Sequence, residues 1–187
     1  MSKIFFISGP SGVGKGSLIH GLKSRHPEYI FPPSCTTRNP RPNEKQGDPY
    51  FFISKESFLE KIKNDEFLEW AKVHEGYLYG TLKKTLLDPI KENKTVIKEF
   101  DVQGFLQIRN KLSKKNYTSI FLYPAEPVEN LVERIRTRAP ISNDDLKKRI
   151  HSMKKEMELA SLYDHKIISV EKNIDKLIRD AEKIIEK

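Results

Sequence analysis

A chain of 187 residues is long enough for one compact domain with a sizeable core and too short for a multidomain assembly. Hydrophobic residues make up 37% and aromatics 10%, too many for a disordered chain, yet no apolar stretch nears the roughly 18 residues of a membrane span. The 34 Lys and Arg against 26 Asp and Glu give a net charge of +8 that favours anionic partners, while the single cysteine, Cys35, and the scattered histidines exclude an internal disulfide and zinc-type spacing and point to a reducing, cytoplasmic setting.

The first expected element is a buried strand, Ile4-Phe5-Phe6-Ile7, too short for the apolar core of a signal peptide. It runs into Gly9-Pro10-Ser11-Gly12-Val13-Gly14-Lys15-Gly16-Ser17, a G-x-x-x-x-G-K pattern in the strand, loop and helix setting of a phosphate-binding loop. Glycines let successive N–H groups turn inward around a phosphate, the following helix adds its positive N-terminal end, and Lys15 supplies a point charge to the β- and γ-phosphates. The strict pattern places Ser or Thr after the lysine. Gly16 stands there, so a magnesium ion is expected to be held mainly by the ligand's phosphates and water, with no metal site made of protein ligands.

After a helix with Leu18, Ile19 and Leu22 inward, the stretch 33–81 breaks the rhythm with Pro33, Pro40, Pro42, Gly47 and Pro49 and reads as an inserted lobe. Ser34-Cys35-Thr36-Thr37-Arg38-Asn39-Pro40-Arg41, with Tyr50 after it, forms a donor cluster suited to a second, dianionic phosphate. The aromatic run Tyr50-Phe51-Phe52-Ile53 is a short strand. Ser54 to Asn64 is a helix with Phe58, Leu59 and Ile62 inward, followed by a strand from Phe67 to Val73 and a turn at Glu75-Gly76.

Pro89 shortens or kinks the next helix, Leu82 to Glu92. Buried strands then follow at Thr95-Val96-Ile97, Ser119 to Leu122 and Lys166-Ile167-Ile168-Ser169, separated by helical faces on Val102/Phe105/Leu106/Leu112, Val128/Leu131/Val132/Ile135 and Leu146/Ile150/Met153/Met157, with Ile174/Leu177/Ile178/Ala181 last. Between Arg134 and Arg149 the Ala139-Pro140 break and the capping pattern from Ser142 outline a short, arginine-bearing lid. The alternation predicts an α/β fold, a P-loop NTPase-type parallel sheet with helices on both faces, a core of residues 1–32 and 82–187 with its lid at about 134–149, and an inserted lobe at 33–81.

Gly9 to Lys15, Ser34 to Arg41, Gly47 to Phe52, Glu66 to Ala71, Tyr79-Gly80-Thr81 and Asp101-Val102-Gln103-Gly104 occur in this order along nearly the whole chain, and together they resemble the guanylate kinase family. The resemblance implies transfer of a phosphoryl group from ATP to GMP, with Mg2+ as cofactor. It assigns Ser34, Arg38, Arg41, Tyr50 and Tyr79 to the GMP phosphate, Glu69 and Thr81 to the guanine, and Lys15, Arg38, Arg134, Arg138 and Arg149 to catalysis. The assignment of the base readers is chemically coherent, since one carboxylate accepts from guanine N1–H and N2–H₂ while a hydroxyl donates to O6. Glu99 and Asp101 end a strand where it meets a nucleotide crevice, Asp101 for guanine or a magnesium-bound water and Glu99 for GMP or an arginine partner. Where the family carries an Asn-Asp pair near the adenine pocket, this chain reads Ser169-Val170-Glu171-Lys172-Asn173.

Three other readings compete. A kinase for another nucleoside monophosphate or a phosphorylated ribose is opposed by Glu69 and Thr81. A non-enzymatic interaction module of the same ancestry is opposed by the intact Gly9 to Lys15 loop. A nucleic-acid binder would need a stacking platform or readout motif, and none is present. The expected partners are therefore ATP and GMP, without nucleic acid or membrane, and the oligomeric state is left open.

Overall fold

The computed structural model describes residues 4–42, 44–72, 76–125, 127, 131–132, 142–170 and 173–187. In chain order the elements are β1 (Ile4–Ser8), α1 (Lys15–Arg25), β2 (Ser34–Thr36), β3 (Lys45–Gln46), β4 (Pro49–Phe52), α2 (Lys55–Lys63), β5 (Phe67–Lys72) and β6 (Leu78–Leu82). There follow α3 (Lys83–Lys91), β7 (Val96–Glu99), α4 (Val102–Lys111), β8 (Tyr117–Pro124), α5 (Asn143–Glu158), β9 (His165–Ser169) and α6 (Ile174–Ile185). Two compact units emerge, one of Met1–Ile4, Glu28–Lys98 and Gln103–Tyr117, the other of Phe5–Pro27, Glu99–Val102 and Thr118–Lys187.

The second unit is an α/β fold on a parallel sheet. Strands β1, β8 and β9 stand in that order, with β8 parallel to β9 from Ile120 opposite His165 to Pro124 opposite Ser169. Phe100 N–H donates to the Ile7 carbonyl at 3.0 Å, and Ser8 Oγ donates to the Phe100 carbonyl at 3.0 Å, so the Glu99–Val102 segment runs beside β1. Phe5, Phe6, Ile7, Phe121 and Leu122 are buried, as continuous apolar runs are in a sheet covered on both faces. Leu18 and Leu22 of α1 and Leu177, Ile178 and Ala181 of α6 complete that core.

The expected strand 166–169 needs one correction. Ile168 is exposed, because β9 is the last strand in the order and buries alternate residues only. Ile174 is exposed as well, at the first residue of α6, where the helix has not yet met its neighbour.

The first unit carries a five-stranded sheet in the order β3-β4-β2-β6-β5. Strand β2 is parallel to β4 and antiparallel to β6, and β5 is antiparallel to β6. One face of this sheet packs on α2, where Phe58 stacks on Phe67 with ring centroids 4.3 Å apart, in a cluster with Cys35 and Leu78. Helix α2 begins where expected, because Ser54 accepts a hydrogen bond from Ser57 N–H at 3.1 Å. Leu59, expected inward, is instead 49% exposed. A nine-residue helix buries only the stripe of Phe58 and Ile62, four residues apart, and Leu59 is turned about 100° away from it.

Pro89 sits in α3, which ends two residues later. Strand β7 begins and ends later than expected and includes Lys98, which is buried. Ser142 caps α5 by accepting from Asp145 N–H at 3.1 Å, as its position before the acidic turn predicts. Val73, Glu75, Val128, Ile135 and the span 133–141 of the expected lid lie outside the described residues.

Candidate active site

The loop after β1 has the backbone its glycines were expected to provide. Gly9 adopts φ +149°, and a Cβ there would stand 2.6 Å from the Leu122 carbonyl oxygen, so only glycine passes β8 at this point. Gly14, at φ +104°, is the left-handed residue that turns the loop into α1. Ser169 Oγ donates to the Val13 carbonyl at 2.7 Å and pins the loop from β9. Lys15 lies at the first position of the helix, and its Nζ donates to the carbonyls of Gly9 (2.6 Å) and Pro10 (3.1 Å), across the mouth of the loop it belongs to. A phosphate there meets the ammonium, the helix N-terminus and the loop amides together.

Around this loop the second unit places two carboxylates. Asp101 is exposed, immediately before α4. Glu156, on α5, was not singled out from the sequence. Burial pushes its carboxyl above the ordinary range, opposed by the Ser152 hydroxyl and the Lys15 charge and reinforced by Asp101. Lys15, Asp101 and Glu156 therefore share one electrostatic neighbourhood. Arg149 is exposed two turns before Glu156 on the same helix, and Glu99 is exposed at the end of β7. Arg134 and Arg138 lie outside the described residues.

The second cluster is a face of the five-stranded sheet. Side chains alternate along each strand, and directly paired residues project to the same side. The pairs Ser34 with Tyr50, Thr36 with Phe52 and with Tyr79, and Glu69 with Thr81 thus collect on one face, while Cys35, Phe51 and Leu78 take the other. Glu69 reaches the polar face through a register shift between Phe67 and Glu69, which lets Phe67 face the core opposite Leu82 while Glu69 faces Thr81. Glu69 and Thr81 are buried, at 8% and 0% exposure, and Ser34 Oγ lies 3.4 Å from Thr81 Oγ1. Of the two residues Ser34 is half-buried and Thr81 is fully buried.

At the other end of this face stands Arg38. Its Nε donates to Tyr79 Oη at 3.1 Å, Nη2 is 2.9 Å from the Glu44 carboxylate, and the guanidinium carbon lies 5.7 Å and 5.6 Å from the Tyr50 and Phe52 ring centres. Tyr50 and Tyr79 meet edge to face at 5.6 Å. Glu44 was not singled out from the sequence. The Arg41 N–H at 2.8 Å, against an opposing effect of burial, and then the Arg38 guanidinium hold its carboxyl below the ordinary range. Glu44 thereby fastens the loop that carries both arginines, with Arg41 itself exposed. Arg38, Tyr50 and Tyr79 come together, and Ser34, the register partner of Tyr50, lies on the same face and also adjoins Thr81.

Among the described residues no group of three His, Cys, Asp or Glu could hold a metal ion, and nothing lies within 4 Å of a Cβ built at Gly16. No described helix is long and apolar enough to cross a membrane.

Known proteins fit this geometry. The family model described as Guanylate kinase matches residues 1–187. The guanylate kinase of Thermotoga maritima is 40% identical over 168 residues, 89% of this chain and 79% of that protein. That of Fusobacterium nucleatum is 38% identical over 186 residues, 100% of this chain and 97% of that one. The crystal structure of guanylate kinase from Anaplasma phagocytophilum superposes with a TM-score of 0.74 at 26% identity, covering 99% of this chain and 85% of that one.

Proposed function

The chain belongs to the guanylate kinase family and is a phosphotransferase that phosphorylates GMP at the expense of ATP, and from that premise we propose how its own residues divide the work. The loop Gly9 to Ser17 holds the ATP phosphates, with Lys15 moving from the carbonyls of Gly9 and Pro10 to the stronger acceptors of the β- and γ-phosphates. When bound, Mg2+ neutralises charge on those phosphates. Gly16 offers it no hydroxyl, so ATP oxygens and water would be its main ligands, with Asp101 placed for a metal-bound water or the guanine and Glu99 as a weaker contact to GMP. Arg149, Arg134 and Arg138 supply the cationic lid that balances charge on the transferring group.

The residues 33–81 form the lobe that receives GMP, set in a core of 1–32 and 82–187. Arg38, Arg41, Tyr50 and Tyr79 take the phosphate. Glu69 accepts from guanine N1–H and N2–H₂, and the hydroxyl pair of Ser34 and Thr81 donates to O6. The observation that carries this reading is the pairing of Glu69 with Thr81 on the polar face, a buried carboxylate beside a buried hydroxyl. Adenine would leave that carboxylate facing an acceptor, at a cost large enough to reject it by orders of magnitude. The acceptor phosphate is already an anion, so no general base is needed. The setting is cytoplasmic, in keeping with one reduced, buried cysteine.

Replacing Glu69 tests the assignment. Glu69→Ala is expected to lower kcat/KM for GMP by about 10²–10³-fold while the KM for ATP stays within about twofold, narrowing the preference for GMP over AMP. Steady-state kinetics with both acceptors is the check, and an unchanged preference would remove Glu69 from the pocket.

A further inference from the structure

Lysine is an unexpected residue at the third position of β7, after Val96 and Ile97. The strand is short and apolar, and an aliphatic side chain would fill the site without the several kcal/mol of desolvation that a buried ammonium costs. Lys98 is nevertheless only 7% exposed. The bridge of Ile30 to Val96, and Ile97 N–H donating to the Ile30 carbonyl at 2.9 Å, bring the chain that enters β2 past this side chain. Lys98 Nζ then donates to the Pro32 carbonyl at 2.8 Å and to Ser34 Oγ at 2.7 Å.

An ammonium has three donors and no acceptor, so Ser34 Oγ must accept in this bond. The Ser34 proton is thereby directed away from Lys98, either outward or toward Thr81 Oγ1 at 3.4 Å. In the second case the Thr81 proton is displaced in turn. The charge at the head of the chain polarises each hydroxyl after it and strengthens donation. The pair is thus set to present hydrogen to an acceptor atom, such as a ring keto oxygen, rather than to receive an amino group.

We propose that Lys98 is a positioning residue of the nucleotide-accepting face, fixing the hydroxyl pair of Ser34 and Thr81 as a donor to the bound base, with Ser34 donating either directly or to Thr81, which then donates in turn. The proposal rests on the reading of this face as the GMP site. It adds a buried cation that touches no substrate yet sets which way the hydroxyls point, and so contributes to the choice of a 6-oxopurine.

Two neutral replacements of different shape, Lys98→Met and Lys98→Leu, are measured beside the unaltered chain, Ser34→Ala and the corresponding double variants. The expected result is a rise of about tenfold or more in the KM for GMP with the KM for ATP within about twofold, and no further rise when either replacement is added to Ser34→Ala. A residue that merely supports the fold would not give this split, nor lose its effect once Ser34 is gone. An unchanged KM for GMP, a full additional rise on the Ser34→Ala background, or failure of both replacements to fold would each overturn the proposal. Should the unaltered chain fail to use GMP, the reading of the face falls as well, which separates that failure from one confined to Lys98.

Discussion

Cys35 lies between two residues of the polar sheet face yet points into the core with Phe58 and Phe67. Burial pushes its thiol from an ordinary 9.0 up to about 11, with the Lys61 and Lys98 charges drawing it back and Glu66 adding to the rise. The native thiol therefore keeps its proton at neutral pH and is a poor nucleophile. Because the folded value lies above the unfolded one, its effect on stability is absent below pH 9.0 and destabilising as pH climbs toward 11. Alkylation at pH 8 is expected to be slow in the native chain and fast once it is denatured, and rapid labelling of native protein would contradict the burial that orients β2. Ser34, one residue earlier, faces the opposite way. The sequence placed it, as a hydroxyl before two arginines, in a donor cluster for a phosphate; its neighbour Lys98 was not legible there, since nothing in the sequence tells a buried lysine from an exposed one.

At the scale of elements, the phosphate loop and the strands β1 and β8 were legible because their signals are local, a glycine spacing and apolar runs. The polar sheet face was not. Strict alternation from Phe67 would put Glu69 on the same side as Phe67, in the core, and only the register shift separates them. A bulge leaves no mark in a pattern of apolar and polar residues, so the carboxylate could be placed from the family resemblance alone. Helix α2 shows the same limit, since its span followed from Ser54 and its apolar content, whereas the exclusion of Leu59 depends on how narrow a stripe the sheet covers. Phe58→Ala is therefore expected to destabilise the chain by about 3–5 kcal/mol and Leu59→Ala by no more than about 0.5 kcal/mol. Urea denaturation of the two variants checks this, and equal losses would contradict the packing described.

At the scale of the whole molecule, each unit holds one of the two phosphate sites proposed above, the loop before α1 in one and the Arg38 face in the other, in a chain with a net charge of +8. Positive charge alone attracts any nucleotide. Discrimination has to come from a few buried polar groups that one base satisfies and others leave unpaired, and the reading proposed above gives that part to Glu69 beside Thr81, with Ser34 bonded to Lys98. The most direct measurement of that claim is ADP formation with ATP, Mg2+ and each of GMP, AMP, CMP and UMP in turn. Turnover with GMP at least about 10²-fold above the other three is the predicted result; comparable turnover with AMP, or none with GMP, would contradict it.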